Sequence, residues 1–155
     1  GNAPQSLHRA AGKMFLGSYT IDASDRETYI EGIDFTSRPT AISGLYSYVQ
    51  DYHDPHEGAL VEIEILNGNA GAESVIGKGR AVLSPSTSFT RFVVPVVYSV
   101  RNKKATRLKV LISSSSYASH SIREESQKIK TTDNIKQAVS IGATMIVDNL
   151  QLLYE

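Results

Sequence analysis

An all-β sandwich around one hydrophobic core is the fold that this 155-residue sequence predicts. Three observations carry the prediction. Apolar residues recur with a period of two in one segment after another, as in strands that bury one face. Glycine, serine and asparagine cluster between those segments, where the chain must turn. No long stretch carries the 3.6-residue period of an amphipathic helix.

The elements follow in order. "GKMFLGSYTI", from Gly12, opens the domain as a short strand punctuated by Gly12 and Gly17. "ASDRETYIEGIDFTSRP" is polar and reads as a connection with one weak strand. "RPTAISGLYSYVQ", residues 38–50, alternates, with Ile42, Gly44, Tyr46 and Tyr48 on one face and Ala41, Leu45 and Val49 on the other. "ALVEIEILN" alternates cleanly, with Val61, Ile63 and Ile65 opposed to Glu62 and Glu64, and "NGNAGAE" after it is a glycine-rich turn. "SVIGKGRAVL" reads as a strand loosened by two glycines. "SFTRFVVPVVYSV" is apolar on both faces, as expected inside a sandwich, and Pro95 marks a bulge or an edge because proline cannot donate to a ladder. "TRLKVLISSSS" turns Leu108, Val110 and Ile112 inward and ends in four serines, and "GATMIVDNLQLLYE" closes the chain.

Residues 117–142 break the pattern. They are polar, and Ser121 with Glu124 forms a capping box, so a short helix is expected there and another around "DNIKQAV". The segment reads as a partly helical surface insertion. Residues 1–11, which open "GNAPQS", read as an N-terminal tail or cloning remnant, and residues 12–155 as a single sandwich domain.

Composition narrows the function. Hydrophobic residues make up 41% and charged residues 21%, ordinary values for a globular domain. Sixteen basic and sixteen acidic side chains cancel, which argues against nucleic acid as the main partner. "RNKKATR", residues 101–107, gathers four cations but no aromatic residue to stack on bases, and reads as a solvated hairpin loop. The absence of cysteine excludes disulfides, thiolate metal sites and a cysteine nucleophile. No apolar run approaches the roughly 20 residues of a membrane span.

Chemistry-bearing clusters are sparse. His53, Asp54, His56 and Glu57 crowd one segment, but Asp-Pro is an ordinary turn initiator and the cluster reads as a loop. Glu62 and Glu64 stand about 7 Å apart at positions i and i+2. That spacing falls in the range for inverting glycosidases, yet neighbours on one strand point the same way and cannot flank a bond. They read as a solvent-facing strand edge. No G-x-S-x-G turn is present. Nothing amounts to an enzyme signature.

Four stretches together, "GKMFLGSY", "FTSRPTAISGLYSY", "VLISSSSYASH" and "SIGATMIVDNLQLLYE", resemble the carbohydrate-metabolism domain family known as PCMD, found in exported proteins and lipoproteins of Bacteroidetes. The resemblance spans Gly12 to Glu155 and departs from the family at residues 121–141, where a short glycine-containing link is usual. It implies a jelly-roll sandwich like the galactose-binding and carbohydrate-binding modules, and a place at the cell surface or in the periplasm in glycan handling. The closing "VDNL" is also similar to the last strand of calcium-bearing carbohydrate-binding modules. That similarity implies a structural calcium at Asp148, with partners drawn from Asp22, Asp25 or Glu27. Against it stands a simpler role, in which Asp148 accepts backbone amides at a bulge or pairs with Arg38.

A sugar site combines aromatic platforms with short polar side chains. Tyr46 and Tyr48 are the expected platform, with Arg38, Ser114, Ser115, Ser116 and Tyr117 supplying orientation. The same two tyrosines also suit a sandwich core. The expected function is a non-catalytic module that binds a polysaccharide or oligosaccharide. The alternatives are an accessory sandwich that contacts protein partners or spaces upstream domains, and a glycoside hydrolase.

Overall fold

The computed structural model describes residues 6–9, 12–24, 27–50, 58–69, 71–116, 127–130 and 143–155. These residues form thirteen strands: β1 Ser6–Arg9, β2 Lys13–Phe15, β3 Gly17–Ile21, β4 Glu27–Glu31, β5 Ile33–Asp34, β6 Ala41–Val49, β7 Ala59–Asn67, β8 Ser74–Leu83, β9 Ser86–Pro95, β10 Val97–Tyr98, β11 Arg107–Ser113, β12 Gln127–Lys130 and β13 Thr144–Leu153. The fold is an all-β sandwich, as the period-two alternation requires.

Two sheets make the sandwich. The larger has six strands in the order β10-β8-β7-β11-β2, with β5 pairing the free edge of β11 beside β2. The smaller has three, in the order β13-β6-β9. Ile42, Tyr46, Tyr48, Phe92 and Val94 from the smaller sheet meet Val61, Ile63, Ile65, Ile76, Leu108, Val110 and Ile112 from the larger in one buried cluster. Each set lies on alternate positions of its strand, so burying one face decides the orientation of the whole strand.

The chain crosses between sheets at Pro95. There β9, an edge strand of the smaller sheet, ends, and β10 joins the larger sheet two residues on. The edge expected of that proline is present, but only one face of β9 is covered: Phe92 and Val94 are buried while Val93 is 45% exposed. The glycines of β8 serve this corner. A Cβ on Gly79 would stand 2.3 Å from the Pro95 carbonyl oxygen, and one on Gly77 would stand 2.7 Å from the Tyr98 ring. They therefore admit a close approach of the neighbouring chain rather than loosening the strand.

The edge of the larger sheet is interrupted. β2 pairs with the end of β11 at Leu111 to Ser113, and β5 pairs with its start at Arg107 and Leu108. Between them the chain leaves the sheet as an antiparallel ribbon, β3 with β4. The base is pinned by Gly32 N–H donating to the Leu16 carbonyl at 2.6 Å and by Arg107 donating to the Glu31 carbonyl. All of β3 is exposed.

Residues 6–9 were expected in a tail; they form β1, which pairs antiparallel with β12 from the polar insertion. The capping box at Ser121 and Glu124 and the segment 133–139, where helices were expected, lie outside the described residues, as do Tyr117 and the His53–Glu57 cluster; the described part of the insertion, Gln127–Lys130, is strand. Among the described residues no helix is long and apolar enough to cross a membrane.

Candidate functional site

The residues expected to form a sugar site do not converge. Tyr48 is fully buried and its hydroxyl donates to the Ser114 carbonyl at 2.9 Å. Tyr46 is 7% exposed, donates to the Ser84 carbonyl at 2.9 Å and meets Phe92 edge-to-face at 6.0 Å. Neither ring turns a face to solvent, so the expected platform is corrected to a pair of core residues with satisfied hydroxyls.

The serine run is tied up in closing the strand. Ser114 N–H donates to the Gly12 carbonyl at 3.0 Å, and Ser115 N–H donates to Ser113 Oγ at 3.1 Å. Ser116 Oγ accepts from Gly58 N–H at 3.2 Å, and its carbonyl accepts from Arg80 at 3.4 Å. Arg38 stands at the other end of β6. Its guanidinium donates to the carbonyls of Lys103 at 2.5 Å and Val100 at 3.0 Å, and its carbon lies 4.3 Å from the Tyr98 ring centroid. From Arg38 to Tyr48 the chain advances ten positions, about 33 Å if extended. Arg38 is thus a brace for the loop after β10, remote from the serines. Tyr98 completes the brace by donating to the Pro39 carbonyl at 2.6 Å, and burial raises its pKa above the usual phenol value.

Asp148 sits at a bulge in β13, between its pairing with β6 at Leu45 and the resumption at Gln151 and Ser43. One carboxylate oxygen accepts the Asn149 amide at 2.8 Å, and Asn149 adopts φ 54°. This is the bulge role weighed against calcium. Asp22, one of the expected partners, accepts the Ser24 amide at 2.8 Å in its own turn, and Asp25 lies outside the described residues. Among the described residues no group of acidic or histidine side chains gathers to hold a metal.

Glu62 and Glu64 also require correction. β7 lies between β8 and β11, so neither residue is on an edge. Glu62 is 5% exposed, and Lys78 reaches Glu62 at 3.1 Å and Glu64 at 3.6 Å. Hydrogen bonding to Glu62 is the largest influence raising the Lys78 pKa, ahead of charge attraction. Two carboxylates that share a face and one ammonium suit a cross-strand ion pair, not a cleft with opposed acids.

A different surface is chemically richer: the outer face of the smaller sheet. Cross-strand register places Asp148, Leu45 and Arg91 in one row and Gln151, Ser43 and Val93 in the next. Asp148, Arg91 and Gln151 are exposed, and Leu45 between the first two is half-buried. Two strand spacings separate the acid from the guanidinium, about 10 Å. Ile146 pairs with Ser47 further along. Phe89 follows at the irregularity opposite Ser47, one residue before Thr90, the partner of Tyr46, and two before Arg91, and is 54% exposed. Composition held a signal for it: Phe89 stands in "STSFTR" among polar residues, whereas the buried Phe92 precedes two valines.

No family model matches this chain, and neither does any curated protein. Among solved structures, one from Bacteroides thetaiotaomicron VPI-5482, provisionally named a glycoside hydrolase, is similar over 94% of this chain at 15% identity, with a TM-score of 0.61. The match spans 47% of that protein, about half its length. The likeness is one of fold.

Proposed function

We propose that the chain is a non-catalytic carbohydrate-binding module of a glycan-handling protein, and that it binds along the outer face of the three-stranded sheet. The observation that carries the reading is the row Asp148–Leu45–Arg91 with Phe89 nearby. Leu45 and Phe89 offer apolar contact to the C–H face of a sugar, and the acid and guanidinium on either side are placed to meet its hydroxyls. Kinship of fold with half of a protein named as a glycoside hydrolase supports a carbohydrate partner. The shared orientation of Glu62 and Glu64 supports binding over hydrolysis. Membership of the PCMD family, and with it a cell-surface or periplasmic location, belongs to the same proposal and rests on the motifs given above.

A glycan array followed by calorimetric titration tests it. The wild type binds at least one polysaccharide without releasing reducing sugar. Phe89→Ala and Arg91→Gln weaken that binding while leaving the melting temperature in place. An array with no bound glycan would refute the reading, and sugar release abolished by Glu62→Gln would favour the hydrolase.

The exposed ribbon favours a second reading, an accessory domain that contacts a protein. Tyr19, Ile21 and Ile30 are 45%, 57% and 54% exposed on it, Tyr19 and Ile21 on one face and Ile30, opposite Ser18, on the other. In that case Ile21→Glu with Ile30→Glu abolishes an association seen by light scattering and leaves glycan binding intact.

A further inference from the structure

The loop between β10 and β11 is held by its backbone from several sides. Ser99 and Val100 N–H donate to the Ile76 carbonyl at 2.9 and 3.3 Å, and Thr106 N–H donates to the Leu66 carbonyl at 2.8 Å. The Val100 and Lys103 carbonyls both accept from the single Arg38 guanidinium, and the Lys104 carbonyl accepts from Asn67 Nδ2 at 2.7 Å. Ala105 is 2% exposed and roots the loop in the core. With these carbonyls turned inward, Arg101, Lys103 and Lys104 are all left exposed.

Their charge is unspent. Lys78 is paired with Glu62 and Glu64, and Arg107 lies 3.6 Å from Glu73. Among the described residues, by contrast, Arg101, Lys103 and Lys104 have no carboxylate partner. Three unpaired cations on a fixed backbone are unfavourable to one another, and an anionic ligand relieves that repulsion. Because the loop is already ordered, binding there forfeits little backbone entropy.

We infer that this loop is a preformed cationic site for the anionic groups of an acidic polysaccharide. The inference rests on the carbohydrate-binding reading and specifies the class of glycan. A polysaccharide fits better than a nucleic acid for two reasons. The chain carries no net formal charge, so it lacks the broad surplus of cations that tracking a nucleic-acid backbone requires. The adjacent aromatic residue, Tyr98, has one face covered by Arg38 and its hydroxyl bonded to Pro39, so it is no platform for bases. Arg38 is a positioning residue here: it sets the loop's shape, and the three exposed cations meet the ligand.

Titration of the whole chain with polygalacturonate, dextran sulfate, neutral dextran and poly(dT), at low and physiological salt, tests the inference. Carboxylated or sulfated polysaccharide, or both, binds at least about tenfold more tightly than dextran, with a dependence on salt that dextran lacks. Replacing Arg101, Lys103 and Lys104 by Gln removes that preference and flattens the salt dependence by about one unit of slope per cation. Arg38→Lys keeps every charge but loses the two-pronged hold on the loop, so it gives a smaller loss of the same kind. The inference is overturned if the triple variant binds the acidic polymers as the wild type does, or if poly(dT) binds as tightly as they do. Neutral glycan binding without acidic preference would remove this inference alone. Binding to no polysaccharide, on the array or here, would remove both.

Discussion

Replacing Tyr48 by Ala should destabilise the domain strongly without touching its ligand surface. The side chain is fully buried in the cluster shared by the two sheets, and its hydroxyl satisfies the Ser114 carbonyl at the end of β11. Removing a buried aromatic ring costs on the order of 3–5 kcal/mol, because the transfer energy is lost and a cavity remains. Tyr48→Phe separates the two contributions. It keeps the ring and strips the hydroxyl, leaving the Ser114 carbonyl short of a partner, at a cost of about 1–3 kcal/mol. For a chain of this size each kcal/mol lowers the melting temperature by about 2–4 °C. The expected drops are therefore roughly 6–20 °C for the Ala variant and roughly 2–12 °C for the Phe variant. Calorimetric melts with urea titrations measure both. Glycan affinity, measured well below either midpoint, should not change, since the ring shows no face to solvent. An Ala variant melting within about 2 °C of wild type, or one that folds normally but binds no glycan, would refute the core assignment.

Gly79→Ala should destabilise by more than helix or strand propensity explains, because its Cβ would press on the Pro95 carbonyl at 2.3 Å where β9 turns into β10; denaturant titration checks it. Asn149→Val should cost about 1–2 kcal/mol at the bulge, where φ is 54°, while Asn149→Gly is tolerated. The pH profile should fall on the alkaline side. Lys78 and Tyr98 both have folded pKa values raised above the ordinary values of 10.5 and 10.0 for their side chains. Such groups contribute stability that is whole below the unfolded pKa and lost as pH rises through the folded one. Melts above those values should decline, and less steeply in Lys78→Gln and Tyr98→Phe; a slope unchanged in both variants would count against the shifts.

The alternation of Ile42, Tyr46 and Tyr48, of Val61, Ile63 and Ile65, and of Leu108, Val110 and Ile112 was enough to declare strands, to say which residues share a face, and to infer a sandwich. Side-chain direction on a strand is local, so period two carries it. Pro95 was readable as an edge for a similarly local reason, the missing N–H. What lies over a face, and which strand lies beside another, are set by partners far along the chain. Tyr48 is core because its hydroxyl finds Ser114 and its ring finds the opposite sheet. Glu62 is buried because β8 and β11 flank β7, though its own segment reads like a charged edge. Arg38 turns to carbonyls 62 and 65 residues away, and Asp148 shares a row with Arg91 only through β6 between them. Phe89 and Phe92 differ in burial on one strand because only one face of β9 is covered. Local sterics and hydrophobic pattern therefore settled the elements and their faces. The pairing of distant strands decided which polar and aromatic groups remain at the surface to meet a ligand.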